Sequence, residues 1–254
     1  MFNSQHIGFM AFAGFEIIAL LVLCKIFIKD ERKKDLVLKI FAVLTVIIHY
    51  STLYVEYFST GNPTVYATML FPVYPCNVAM WLLLIVAFYK NKDSKVYKVL
   101  AEITFYLGIV GGVIGIMFNE IFADNPTLGD WEVLHGLLSH VTLLFGSIYL
   151  LVSNRIKIRV SNVISIFCGL LLLFVDGCFI IGLYRLFDKS SPNCMYLLEP
   201  PLESVPWLNT YVIGLIAIVL FFSITAIYEQ IALKKEDRWY SKLKNRRKNK
   251  WEIS

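Results

Sequence analysis

Long apolar runs separated by short polar stretches organise this chain. Seven runs, 7–28, 36–58, 65–89, 96–118, 133–152, 160–187 and 205–233, each reach the roughly 20 residues a helix needs to cross a hydrocarbon core. Lipid offers no partner to an unpaired backbone group, so each run predicts a transmembrane helix. The expected fold is all-α: a polytopic bundle of seven transmembrane helices over residues 1–233, followed by a basic juxtamembrane tail over 234–254. That places the chain in the cell membrane as a multi-pass integral protein. Composition points the same way, with 57% hydrophobic and 17% charged residues, a balance that excludes an ordinary soluble domain. The stretch 1–6 carries no basic residue, so the first run reads as a true helix and not as a cleaved signal.

Charge sets the orientation. Lys29, Arg32, Lys33 and Lys34 follow the first run, Lys90, Lys92 and Lys95 the third, and Arg155, Lys157 and Arg159 the fifth. The second and fourth loops have no Lys or Arg, the sixth has only Lys189, and the fourth is acidic with Glu120, Asp124, Asp130 and Glu132. Basic loops face the cytoplasm, so the N-terminus is expected outside and the C-terminus inside. The tail mixes Lys235, Arg238, Lys242, Lys244, Arg246, Arg247, Lys248 and Lys250 with Trp239, Tyr240 and Trp251. Each such cation attracts anionic lipid headgroups by about 1 kcal/mol. The net charge of +5 is therefore an inside-facing bias, and no nucleic-acid partner is expected.

Five polar residues, Glu16, His49, Cys76, His140 and Asp176, lie in five different runs. At about 1.5 Å per residue, all sit roughly 10 to 17 Å below the outer boundary. A charge at that depth costs about 2.5 to 3.5 kcal/mol even on a lenient scale. Singly, each reads as an interhelical hydrogen-bond partner; together, at one level, they predict a polar pocket opening outward. Glu102 and Arg185 lie off that level.

Cys76 stands out because Pro72 and Pro75 precede it. Two prolines remove backbone donors and predict a break in the third helix, and broken helices at membrane depth line cavities. If Pro75 opens a restarted helix, the free amides of Cys76 and Asn77 point into that cavity, and the positive end of the helix dipole favours a thiolate nucleophile or an oxyanion there. The plain reading of a lone cysteine is apolar packing. A base is needed nearby, and among the four histidines His6 and His135 read as too close to the outer surface. That leaves His49 and His140, with His140 the better candidate to take the thiol proton and deliver it. Asp176 or His49 would orient it, and Tyr196 and Trp207 lie near the outer entrance.

Gly108, Gly111, Gly112 and Gly115 place two small-residue pairs four apart on the fourth helix, a pattern that permits close helix packing. The five cysteines lack zinc-ribbon or redox spacing, and Cys178 and Cys194 are the pair that would meet near the outer side. No phosphate loop or dinucleotide fingerprint appears, so no cofactor is expected.

Pro75-Cys76-Asn77, Ser139-His140 followed by Ile148-Tyr149-Leu150-Leu151, and Asn193-Cys194-Met195-Tyr196-Leu197 with Pro200 resemble the YwaF-like bacterial integral membrane proteins, related to a eukaryotic transmembrane ether-phospholipid acyltransferase. The resemblance spans most of the chain. It implies a Cys and His pair that moves an acyl chain between membrane phospholipids through a thioester, with Cys76 as nucleophile, His140 as base and no metal. Val141 stands where the family has Gly, and Cys194 where it has an aromatic. Two other classes compete: a metal-dependent seven-helix hydrolase built on His49, His140 and Asp176, and a small-solute transporter using the buried ionisable residues as a path.

Overall fold

The computed structural model describes residues 3–61, 71–118, 127–162, 164–187, 192–201 and 205–243, without the side chains of Glu56, Ser59, Thr60 and Glu132. Residues 65–70 of the third apolar run, Glu120 and Asp124 of the fourth loop, Lys189, and the tail beyond residue 243 lie outside them.

Among the described residues there are seven α-helices and no strand: α1 (Ser4–Phe27), α2 (Glu31–Thr60), α3 (Pro75–Phe88), α4 (Lys95–Met117), α5 (Trp131–Val152), α6 (Ile164–Leu186) and α7 (Thr210–Ala232). Six are long and apolar enough to cross a membrane, and α3 is a shorter apolar helix of 14 residues. Their outer surface carries large apolar side chains such as Phe15, Phe27, Phe179, Leu186, Tyr211 and Ile231, the face expected against hydrocarbon chains. The chain is an all-α, multi-pass integral membrane protein.

Helix starts follow local capping chemistry. The side chains of Asn3, Asp30, Ser94 and Asn209 each accept a backbone N–H from the first turn of α1, α2, α4 and α7, satisfying donors that a helix leaves open. α3 differs. Tyr74 is its extended N-cap, Pro75 fills its first position, where a missing N–H costs nothing, and 71–74 is not helical. α3 therefore begins at Pro75, as expected for a helix opening at the second proline, while residues 65–70, where the segment before the expected break falls, lie outside the described residues.

α2, α3, α4 and α5 form a closed ring of neighbours, with α1 against α5 and α6 against α4. Glycines let this ring close tightly. A Cβ on Gly108 would fall 1.8 Å from Ser147 Oγ, and one on Gly112 would fall 2.8 Å from Leu144 Cβ, so α4 and α5 touch backbone to side chain. α7 is more lightly attached. Tyr106 and Thr225 share a 2.6 Å hydroxyl bond, and the Tyr106 and Phe221 rings lie 5.0 Å apart.

The basic end is tied by charge. Arg155 Nη2 lies 2.8 Å from both Glu31 and Asp35, and Lys92 reaches the same Asp35. Buried Glu102 accepts from Asn162 Nδ2 at 2.8 Å and from Ser165. Glu229, 2% exposed, accepts the backbone N–H groups of Val160 at 2.8 Å and Trp239 at 2.9 Å, which folds the start of the tail onto the end of α7.

Two histidines are placed differently from the depth reading. His6 is fully buried, and its Nε2–H donates to the Ile116 carbonyl at 2.7 Å. The end of α4 leaves open carbonyls that need donors, and His6 supplies one. His135 is also buried, with Nδ1–H donating to Trp131 O at 3.0 Å.

Candidate functional site

A cavity of about 980 Å3 occupies the end of the ring away from the basic loops. α2 lends it Thr45, His49 and Thr52, the start of α3 lends Tyr74 to Asn77, and α5 lends His135, Ser139 and His140. Gly111 and Gly115 of α4 form its floor, the loop before α7 brings Met195, Tyr196 and Leu197, and α7 adds Thr210 and Tyr211. Of the residues singled out from the sequence, Cys76, His140, His49, Asn77 and Tyr196 all line this space.

The two α4 glycines define how Cys76 and His140 sit. A Cβ on Gly111 would lie 3.0 Å from both Cα and Cβ of Cys76. A Cβ on Gly115 would lie 2.2 to 2.3 Å from Cε1, Nδ1 and Nε2 of His140. Positions four apart stack on one helix face, about 5 to 6 Å from each other. The thiol-bearing residue and the imidazole therefore rest on adjacent turns of the same strip of α4, each in a notch that any larger residue would fill. Nδ1 of His140 is buried with no hydrogen-bond partner among the described residues, while Cys76 is half-buried.

Asn77 is a structural hinge of the site. Its Oδ1 accepts Tyr74 N–H at 3.1 Å, its backbone N–H donates to Tyr74 O at 3.0 Å, and Nδ2 lies 3.4 Å from His49 Nε2. The Asn77 amide is thus taken up by the capping turn, which corrects the expectation that it points at an oxyanion. His49 is tied to Asn77 and shares the cavity with His140. Asn77→Ala removes the cap and is expected to cost about 1 kcal/mol, read as a lowered melting temperature in detergent. An unchanged melting temperature would refute this role.

Glu16 and Asp176 do not line the cavity. Ala13, Ile17 and Leu21 recur four apart and form the buried stripe of α1; Glu16 lies one residue, about 100°, off that stripe and is exposed. Equal depth leaves direction around the helix open, and here the direction is outward. Asp176 is half-buried next to Gly177, with Oδ2 buried and unpartnered among the described residues. Gly177 faces Leu197 and Met195, so Asp176 belongs under the outer loop, away from the His140 ring. His49 and His140 both line the cavity but Asp176 does not, and no group of three or more His, Cys, Asp or Glu side chains among the described residues is arranged to hold a metal.

The outer loop is firmly built. Asn193 Oδ1 accepts the N–H groups of Leu198 and Glu199, Met195 N–H donates to Val73 O at 2.9 Å, and Thr210 Oγ1 donates to the Met195 and Tyr196 carbonyls. Met195 and Tyr196 take left-handed φ values of 52° and 56°, a strained choice for residues with side chains. The Tyr196 ring packs 5.6 Å from that of Tyr74, closing the loop over the start of α3. Trp207 is exposed. Cys178 and Cys194 are both free; Cys194 is fully buried, and burial, with the Asp176 carboxylate second, pushes its thiol up to about 11. It stays protonated at neutral pH.

The depth reading missed His135, Ser139, Thr45 and Thr52, all of which line the cavity. A signal was available: Thr45, His49 and Thr52 on α2, and His135, Ser139 and Thr142 on α5, recur at i, i+4 and i+7, one polar stripe on each otherwise apolar helix. The two stripes meet at the 3.0 Å bond from Thr45 to Thr142.

No curated protein sequence and no solved structure matches the chain. The model of the TMEM164 family matches residues 1–228, which reach into the last turns of α7; the chain belongs to the TMEM164 family.

Proposed function

We propose that the chain is an integral membrane lipid acyltransferase, or a lipid hydrolase where water is the acceptor, working through a Cys76 thioester with His140 as base. One observation carries the reading: Cys76, at the second position of α3, and His140, from a separate helix, share one cavity and one glycine strip of α4. The resemblance to the YwaF-like bacterial proteins and the eukaryotic ether-phospholipid acyltransferase assigns the same two residues to this chemistry.

His140 takes the Cys76 proton, and the thiolate attacks an ester carbonyl of a membrane phospholipid. The carbon–sulfur bond forms, the carbon–oxygen bond of the ester breaks, and the departing alkoxide takes the proton held by His140. In the second half His140 accepts the proton of an acceptor hydroxyl, whose oxygen attacks the thioester carbonyl; the new carbon–oxygen bond forms, the carbon–sulfur bond breaks, and the departing Cys76 thiolate takes the proton back from His140. Tyr196 and Tyr74 line the headgroup side, and the apolar wall from α6 and α7, including Leu173, Phe174 and Ile218, suits an acyl chain. Intact-protein mass spectrometry of the purified protein is expected to show a fatty-acyl mass on Cys76 that is absent in Cys76→Ala, and His140→Ala should abolish labelling of Cys76 by an acyl-like probe. Full labelling of His140→Ala with no adduct on the native protein would end this reading.

A further inference from the structure

A second hollow, about 360 Å3, opens at the basic end of the bundle, at the opposite end from the Cys76 cavity. It lies between the end of α1, the start of α2 and the end of α5, with Tyr228 of α7 on one side. Tyr149 and His140 are nine residues apart on α5, about 13 Å along its axis.

Three ammonium groups, those of Lys25, Lys29 and Lys34, border this hollow. Lys34 is paired with Glu31 at 2.7 Å, whereas Lys25 and Lys29 have no carboxylate partner among the described residues. The nearby acids, Glu31 and Asp35, are already bridged by Arg155, Lys34 and Lys92. Tyr149 also lines the hollow. It is 1% exposed, and its hydroxyl is buried with no hydrogen-bond partner among the described residues. A buried phenol without a partner is costly, and native proteins rarely retain one that nothing satisfies. Ser153 Oγ donates to the Tyr149 carbonyl at 2.6 Å and makes no bond to the phenol. Lys29 Nζ donates to the Lys25 carbonyl, so the hollow joins two cations that lack a carboxylate partner to a buried donor, the set that phosphate oxygens accept from. Ile28, Leu151 and Val152 supply an apolar flank.

We propose that this hollow is a binding site for a phosphate group, held by the ammonium groups of Lys25 and Lys29 and by the phenol of Tyr149. A phosphodiester in an anionic lipid headgroup and a phosphate from solution present the same acceptor oxygens; the level of the hollow, where α1 leaves the bilayer at its basic end, admits both.

The test uses the full chain in detergent. Native mass spectra are taken after exchange into phosphatidylcholine alone and into phosphatidylcholine doped with phosphatidylglycerol, and melting is followed separately with inorganic phosphate. Preferential retention of phosphatidylglycerol identifies the lipid source; stabilisation by phosphate without such retention identifies the soluble one. In either case Lys25→Gln with Lys29→Gln should weaken binding about thirtyfold, and Tyr149→Phe about fivefold. Without ligand, Tyr149→Phe should melt no lower than the native protein, since its hydroxyl has no bond to lose. Undiminished binding in either variant, or no binding above the phosphatidylcholine baseline in both arms, overturns the assignment.

Discussion

Gly115→Ala is expected to silence Cys76 as effectively as removing the His140 imidazole itself. The new methyl group would fall 2.2 to 2.3 Å from three atoms of the ring at once, so no small rotation of His140 relieves the clash, and either the ring leaves its notch or α4 moves away from α5. Overpacking of this kind costs about 1 to 3 kcal/mol, which a bundle of this size survives. Loss of a positioned general base costs about 100- to 10,000-fold in rate. Labelling of Cys76 by a hydrophobic acyl-like probe should therefore fall by that order in Gly115→Ala and in His140→Ala alike. Gly14→Ala is the control, because nothing lies within 4 Å of its Cβ, and it should label as the native chain does. A native labelling rate in Gly115→Ala would show that the ring in this notch is not the base.

The second large effect is at the other end of the molecule. Glu229→Ala should loosen the junction of α7, the loop before α6 and the tail. The carboxylate is 2% exposed and accepts two backbone N–H groups that are far apart in sequence, those of Val160 and Trp239. Bonds to a charged acceptor contribute about 1.5 to 3 kcal/mol each, so the loss is about 3 kcal/mol or more, and Val160 and Trp239 are left as open donors. Glu229→Gln keeps one acceptor oxygen and should recover about half of that. Thermal unfolding in detergent and protease nicking after residue 233 read the difference; equal stability of Ala and native chains would mean the two donors find water instead.

Helix number was readable from the sequence because it is one-dimensional: a count of long apolar runs. The pair Pro72 and Pro75 made the start of α3 at Pro75 readable too, since the missing donors are a property of the residues themselves. Direction around each helix was not readable from depth, which is why Glu16 and Asp176 were grouped with Cys76 and His140 although neither lines the cavity. The buried stripe of α1 through Ala13, Ile17 and Leu21 carries that direction, as do the i, i+4, i+7 stripes of α2 and α5. The burial of His6 and His135 shows the converse limit: nearness to a helix end says little about exposure when the end of another helix, here that of α4, needs a donor.

The extended turn before Pro75 has a consequence for traffic. The Val73 carbonyl, part of a buried residue, finds its partner in Met195 N–H from the loop that precedes α7. Raising that loop like a flap would strand a peptide oxygen in a greasy setting and break the Thr210 clasp as well, so the roof behaves as masonry. Under the lipid chemistry proposed above, a molecule with long hydrocarbon tails would then enter edgewise, between the lightly fastened last helix and its neighbours, an expectation that rests on how one carbonyl is satisfied.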